Sequence, residues 1–126
     1  MRLAVPSTRV SNVRAVLSRF LKPAGFGSSP KSLGSGAGPI SAMVFADFGA
    51  DVIKIEHPVG DALRKMGHAK NGHGVWWKVT NRNKRTITLD LHDDDGKAAF
   101  LALVEGADVV VENFRTGTLE KWGLGW

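Results

Sequence analysis

Two stretches of this 126-residue chain carry side chains that could grip a phosphorylated, purine-bearing ligand. In Asn113-Phe114-Arg115, an amide that both donates and accepts is followed by a flat apolar ring and a fixed positive charge, which suit a base, its ring face and a phosphate. In Asn81-Arg82-Asn83-Lys84-Arg85, three cations and two amides are packed into five residues. Each has a plainer reading: an ordinary loop with Phe114 turned inward, and a solvated basic loop. On residue types alone the plainer readings are favoured.

Both stretches adjoin strand-like runs. Thr86 to Leu91 follows the basic loop, and Ala107 to Glu112, read as a buried strand, leads into Asn113. Between them, Asp93-Asp94-Asp95 places acceptors and negative charge where a helix over Lys97 to Glu105 would begin, with Gly106 to end it. Capping explains that acidic cluster better than metal binding does. Strand, helix and strand fit a right-handed parallel crossover. Upstream, Pro39 to Phe48 is predicted to be helical, ending at Gly49, and Asp51 to Ile55 alternates as a strand that stops at Glu56-His57-Pro58. The polar run from Met66 to Gly74 reads as a long surface loop. A last short helix is expected through Trp122, capped by Thr116 or Thr118 and stopped by Gly123.

Alternating helices and strands indicate an α/β fold, a partial Rossmann-like open parallel sheet with flanking helices. Ligands of such sheets lie beyond the carboxyl ends of the strands, where His57 and Asn113-Phe114-Arg115 fall.

Composition bounds the rest. A 43% hydrophobic chain of this length makes one modest domain. The absence of Cys excludes disulfides and thiolate metal sites, and the four His have no metal-pair spacing, so no metal site is expected. The net charge is +5, but residues 1–46 hold Arg2, Arg9, Arg14, Arg19, Lys22 and Lys31 with no acid, leaving the other 80 residues at −1. The folded part thus has no broad cationic field for nucleic acid, and no apolar run reaches the roughly 20 residues of a membrane span.

Residues 1–36 lack acids and are rich in Arg, Ser and Gly, which suits a flexible extension preceding a domain at residues 37–126. Disorder or weak helix is expected there. Val13, Val16, Leu17 and Phe20 could line one side of a basic amphipathic helix over Val10 to Leu21, as in an organellar transit peptide. A misassigned start serves equally well. The location is accordingly cytoplasmic, or the mitochondrial matrix if the extension is a targeting peptide.

Ala37-Gly38-Pro39, Ala46 to Glu56, Gly60-Asp61, Asn81 to Leu91, Ala107 to Arg115, Gly117 and Gly123-Leu124-Gly125 together resemble the amino-terminal part of the class III coenzyme A transferases, the CaiB/BaiF family. The likeness covers about residues 37–126. It implies a Rossmann-like large domain within an interlocked homodimer, with acyl-CoA and a carboxylic acid as substrates and no tightly bound cofactor. It further implies CoA contacts from Asn81, Arg82, Asn83 and Lys84, from Asn113, Phe114 and Arg115, and from Lys121, all converging on one site. His57 stands where relatives often carry Arg. In the family, an Asp carboxylate attacks the thioester to give an anhydride and then an aspartyl-CoA thioester. No acid of this chain matches that Asp, so no catalytic residue is assigned and the chain alone is expected to be inactive. The likeness also implies an opening strand, for which Leu21 to Gly36 has no pattern, so a central strand is expected to be missing. An α-methylacyl-CoA racemase-like fragment and a non-catalytic CoA-binding module are the alternative functions.

Overall fold

The computed structural model describes residues 36–125 and the backbone of Arg14–Arg19. Four strands form one parallel sheet in the order β5-β2-β1-β6, where β1 is Arg14–Arg19, β2 Asp51–Glu56, β5 Lys84–Thr88 and β6 Val109–Glu112. The helices are α1 (Ala37–Asp47), α2 (Val75–Thr80), α3 (Asp94–Glu105) and α4 (Thr118–Lys121). None of the helices among the described residues is long and apolar enough to cross a membrane.

The largest departure from expectation is β1. Where helix or disorder was expected, Arg14–Arg19 pairs with β2 from Arg14↔Asp51 to Arg19↔Glu56, and with β6 from Ala15↔Val109 to Ser18↔Glu112. The central strand is therefore present. Two flanking ladders offer rows of unpaired N–H and C=O groups, and a strand between them satisfies both rows, which outweighs local helical periodicity. The remainder of residues 1–35 lies outside the described residues.

With β1 in the centre, β5 and β6 are not neighbours, and α3 carries the chain from one sheet edge to the other. β5 starts two residues earlier than its pattern indicated, so Lys84 and Arg85 belong to the strand rather than to a preceding loop. β6, at a sheet edge, is half-buried rather than buried. Asp93 stands at the start of α3 without a side-chain cap, leaving Asp94 and Asp95 to act on the helix dipole, and neither Thr116 nor Thr118 caps α4.

The expected long loop contains structure of its own. After a 3-10 turn at Ala62–Lys65, β3 (Ala69–Lys70) and β4 (His73–Gly74) form a small hairpin closed by Asn71-Gly72. Both turn residues have positive φ, 52° and 76°, the left-handed pair that a two-residue hairpin turn of this hand requires. α2 follows at once, although Val75-Trp76-Trp77-Lys78-Val79-Thr80 is β-prone by composition.

The core has two layers. On one face Ala42 and Ala46 of α1, with Ala50, lie against Val52, Val109 and Val111; the small side chains let the helix approach the sheet closely. On the other face Ile55, Leu91, Phe100, Leu119 and Leu124 form the larger cluster.

Lys54, one residue before Ile55, points to the α1 face and is fully buried. Its ammonium donates to Glu56 Oε1 at 2.8 Å and Asp61 Oδ2 at 2.6 Å. Arg64 Nε donates to Glu56 Oε2 at 2.9 Å and stacks 3.8 Å from the centre of the Trp77 ring. The other Asp61 oxygen accepts the Leu63 N–H at 2.9 Å, capping the 3-10 turn. Burial raises the Glu56 pKa, but hydrogen bonds and charge from Lys54 and Arg64 together hold it below the usual carboxylate range.

Replacing Lys54 by Met is expected to leave Glu56 and Asp61 without their shared buried cation and to lower stability by about 3–5 kcal/mol. Urea unfolding of the two proteins checks this, and equal midpoints would refute it.

Candidate functional site

All four strands run parallel, so their carboxyl ends share one edge, and there the loops after β2, β5 and β6 come together. His57 follows β2, and its Nε2 lies 3.4 Å from Asp90 Oδ2. Asp90 follows β5 and accepts the His92 backbone N–H at 2.9 Å on Oδ1, with His92 Nδ1 2.8 Å from the same oxygen. These bonds, the backbone one foremost, hold the Asp90 carboxyl below its ordinary pKa. His92 meets Trp122 edge-on at 4.8 Å, and Trp122 meets Phe114 edge-on at 5.3 Å. With His57 and His92 centred 6.2 Å apart, four rings cross the edge from β2 to β6.

Phe114 is half-buried against the Leu119 and Phe100 cluster, with its backbone N–H held by Glu112 Oε2 at 2.7 Å. Asn113 beside it is half-buried, whereas Arg115 and Lys121 are exposed and make no ion pair among the described residues. In the tripeptide the ring packs inward, as in its plainer reading, while the Arg115 cation faces solvent. Asp90, His92 and Trp122 were not singled out from sequence, and the only local signal was the acid-to-His spacing of two at the end of a strand.

His57, Asp90 and His92 each place a potential ligand atom within 4.8 Å of the others. Their hydrogen bonds argue against a metal centre in this arrangement. His57 Nδ1 accepts the Val59 N–H at 3.2 Å, so the proton of the neutral ring sits on Nε2, facing the carboxylate, and no lone pair is offered there. An open cavity nearby is lined by Pro58, Thr88, Asp90, Asp93, Asp94 and Gly96 among others, an acidic wall that disfavours polyphosphate.

The basic stretch lies elsewhere and is engaged within the chain. Arg82 grips the Asp47 carboxylate with Nε at 3.0 Å and Nη2, and Asn83 Nδ2 joins it at 3.0 Å. Arg82 Nη1 also reaches the Val79 carbonyl at 2.9 Å, tying α1 to α2. Asn81 Nδ2 donates to the Trp77 carbonyl at 2.8 Å, and Arg85 pairs with Asp51. Lys84 sits in register with Val52 and reaches across the α1 face to donate to the Pro39 and Thr80 carbonyls, at 2.6 and 2.7 Å. Burial, with repulsion from Lys54, lowers its pKa from 10.5 to about 8.

Lys84 thus lies on the α1 face and Phe114 on the α3 face. The expected single site made of both is not formed within this chain, because strand alternation puts Lys84 and Ile87, three residues apart, on opposite sides.

Residues 33–126 match the sequence model of CoA-transferase family III. The chain is 52% identical over 92 residues to a succinyl-CoA–D-citramalate CoA-transferase of Chloroflexus aurantiacus, covering 71% of this chain and 23% of that protein. It is 41% identical over 92 residues to a formyl-CoA:oxalate CoA-transferase of Afipia carboxidovorans, covering 71% and 22%. Its fold superimposes on the crystal structure of a CaiB/BaiF family protein from Brucella suis with a TM-score of 0.73 and 34% identity, over 93% of this chain and 29% of that one. The chain therefore spans about a quarter of the length of these relatives.

Below about pH 8, Lys84 carries its proton in both the folded and the unfolded chain, and burying that charge costs stability. Between about 8 and 10.5 the folded chain gives the proton up while the unfolded chain keeps it, so stability is expected to rise with pH across that window. Denaturant titrations at several pH values check this; the rise should be absent in Lys84→Met.

Proposed function

Because the chain belongs to CoA-transferase family III, we propose that it is the amino-terminal, CoA-binding part of an enzyme that passes CoA from an acyl-CoA to a carboxylic acid. The observation that carries the reading is the cluster at the carboxyl edge of the sheet: a half-buried Phe114 flanked by Asn113, with two exposed cations, Arg115 and Lys121, that form no ion pair among the described residues. The exposed part of the ring offers a face for adenine, the amide offers base or ribose contacts, and the cations meet phosphate oxygens. His57 is turned to Asp90, with Nε2 3.4 Å from Oδ2, and in this reading orders the edge rather than donating to the ligand.

In this reading Asn81, Arg82 and Asn83 contribute indirectly, by holding α1 and α2 in place. Lys84 has three N–H donors when protonated and gives two to the Pro39 and Thr80 carbonyls, leaving one for a ligand oxygen beside the Ala37-Gly38-Pro39 turn. Binding there would be a separate contact, on the α1 face.

The nucleophilic carboxylate is not assigned to this chain. Glu56 and Asp61 are buried against Lys54, and Asp90 is held by His92 and His57, so none of them is free to attack a thioester. The working form in this reading is a homodimer of the longer polypeptide, in the cytoplasm.

Calorimetric titration with CoA tests the proposal. Micromolar binding is expected, weakened about tenfold, or ~1.4 kcal/mol, by Phe114→Ala and by Arg115→Ala. Affinities equal to that of the parent chain would overturn it. With succinyl-CoA and a panel of carboxylic acids, the 126-residue chain is expected to form no new thioester; measurable transfer would show that a carboxylate of this chain does the chemistry.

A further inference from the structure

The hairpin between the 3-10 turn and α2 carries Asn71-Gly72 at its tip, the single Asn-Gly pair of the sequence, and both residues are exposed. β3 and β4 have two residues each and pair as Ala69↔Gly74 and Lys70↔His73, so the Gly72 amide belongs to the turn and not to the ladder. Asn71 holds φ 52°, in the left-handed region that strains any residue with a Cβ, although Asn bears it better than most. A ladder this short and this exposed does little to hold it there, and the tip opens more readily than the sheet does.

Once open, the tip has the parts for an intramolecular reaction. The Asn71 side-chain carbonyl carbon lies one residue from a backbone nitrogen that no Cβ hinders, and attack by that nitrogen closes a five-membered ring. The surroundings favour loss of the nitrogen's proton: residues 62–85 hold seven Lys and Arg and no acid, with Lys70 directly before Asn71. The single Asp-Gly pair, Asp95-Gly96, has the same atoms but not the same freedom, because Gly96 is buried in the first turn of α3, packed directly on the Asp90 carbonyl.

We infer that Asn71 is a site of spontaneous covalent modification, deamidation through a cyclic imide, and that the product releases the start of α2. The Gly72 nitrogen bonds to Asn71 Cγ, the bond from Cγ to Nδ2 breaks, and the side-chain nitrogen leaves as ammonia with the proton that Gly72 gives up. Water then opens the imide at one of its two carbonyls. One opening leaves an aspartyl residue, the other an isoaspartyl residue in which the main chain runs through Cβ and Cγ. The isoaspartyl linkage is one carbon longer and lacks the left-handed pair the turn requires, so the register of β3 on β4 is lost. The hairpin is fitted too closely to absorb this: a Cβ on Gly74 would stand 2.5 Å from the Arg64 carbonyl oxygen, and the Val75 N–H at the start of α2 donates to the His68 carbonyl at 2.9 Å. None of this depends on the CoA reading, and the reaction proceeds whatever the chain binds.

The test is to age the full 126-residue chain in mildly alkaline buffer, map its peptides by mass spectrometry and label isoaspartyl groups with a protein isoaspartyl methyltransferase. The peptide holding Asn71 is expected to gain the mass of an amide turned to an acid and to become the main methyl acceptor, while Asn81, Asn83, Asn113 and Asp95 stay as they are. Chymotrypsin is expected to cut the aged chain after Trp76 and Trp77 faster than the fresh one. Asn71→Gly keeps a turn that tolerates positive φ at both places; both the mass gain and the faster cutting are expected to be lost in it. Retention of Asn71 over a period in which the same chain unfolded in urea converts it, conversion spread evenly over the other sites, or cutting that ageing leaves unchanged would each overturn the inference.

Discussion

The ammonium of Lys54 is the point from which much of this structure is organised. It is fully buried and cannot stay there without Glu56 and Asp61. That requirement draws the Gly60-Asp61 loop back onto β2, and Asp61 in turn starts the 3-10 turn through Leu63. Arg64 closes the set on Glu56 and lies flat on Trp77, which places α2 beside it. α2 then supplies the Thr80 carbonyl that Lys84 needs, and Lys84 reaches on to Pro39 in the first turn of α1. One buried charge therefore links β2, the loop, α2, β5 and α1. Such a network adds little net stability over apolar packing, but it penalises any arrangement in which one member is displaced.

Much of this was legible in the residues. The α1 span, the alternation of Asp51 to Ile55 and the Gly-terminated α3 follow from short-range rules, and the structure has them within a residue or three. β1 was not legible, because the forces that make Arg14–Arg19 a strand are the open edges of β2 and β6, which lie far along the chain. The Asn71-Gly72 hairpin was legible in principle: that dipeptide is a strong two-residue turn signal, but the surrounding polar run hid it. α2 runs against its composition, with Thr80 bonding back to the Trp76 and Trp77 carbonyls and Arg64 covering the ring beneath.

The candidate site divides the same way. Asn113-Phe114-Arg115 stands beyond a strand end, as its place after a β-branched run indicated. The rings of His92 and Trp122 could not be anticipated, since their meeting depends on how α4 folds back over the edge. The side taken by Lys84 could have been read by counting: if Ile87 faces the α3 core, a residue an odd number of places away faces the other layer. Family likeness placed Lys84 and Phe114 together, whereas alternation separates them within this chain.

The position of β1 also has a consequence for how the protein is born. Ala15 pairs with Val109, so the seam between the sheet's two halves joins segments that lie far apart along the polypeptide. During synthesis β1 can zip to β2 early, but its second edge stays open until α3 and β6 have left the ribosome. That interval exposes an unpaired edge, the state in which strands most readily add to a neighbouring nascent chain. Long-range pairing of this kind slows folding, so a chaperone that shields the edge until β6 arrives would raise the yield of native protein.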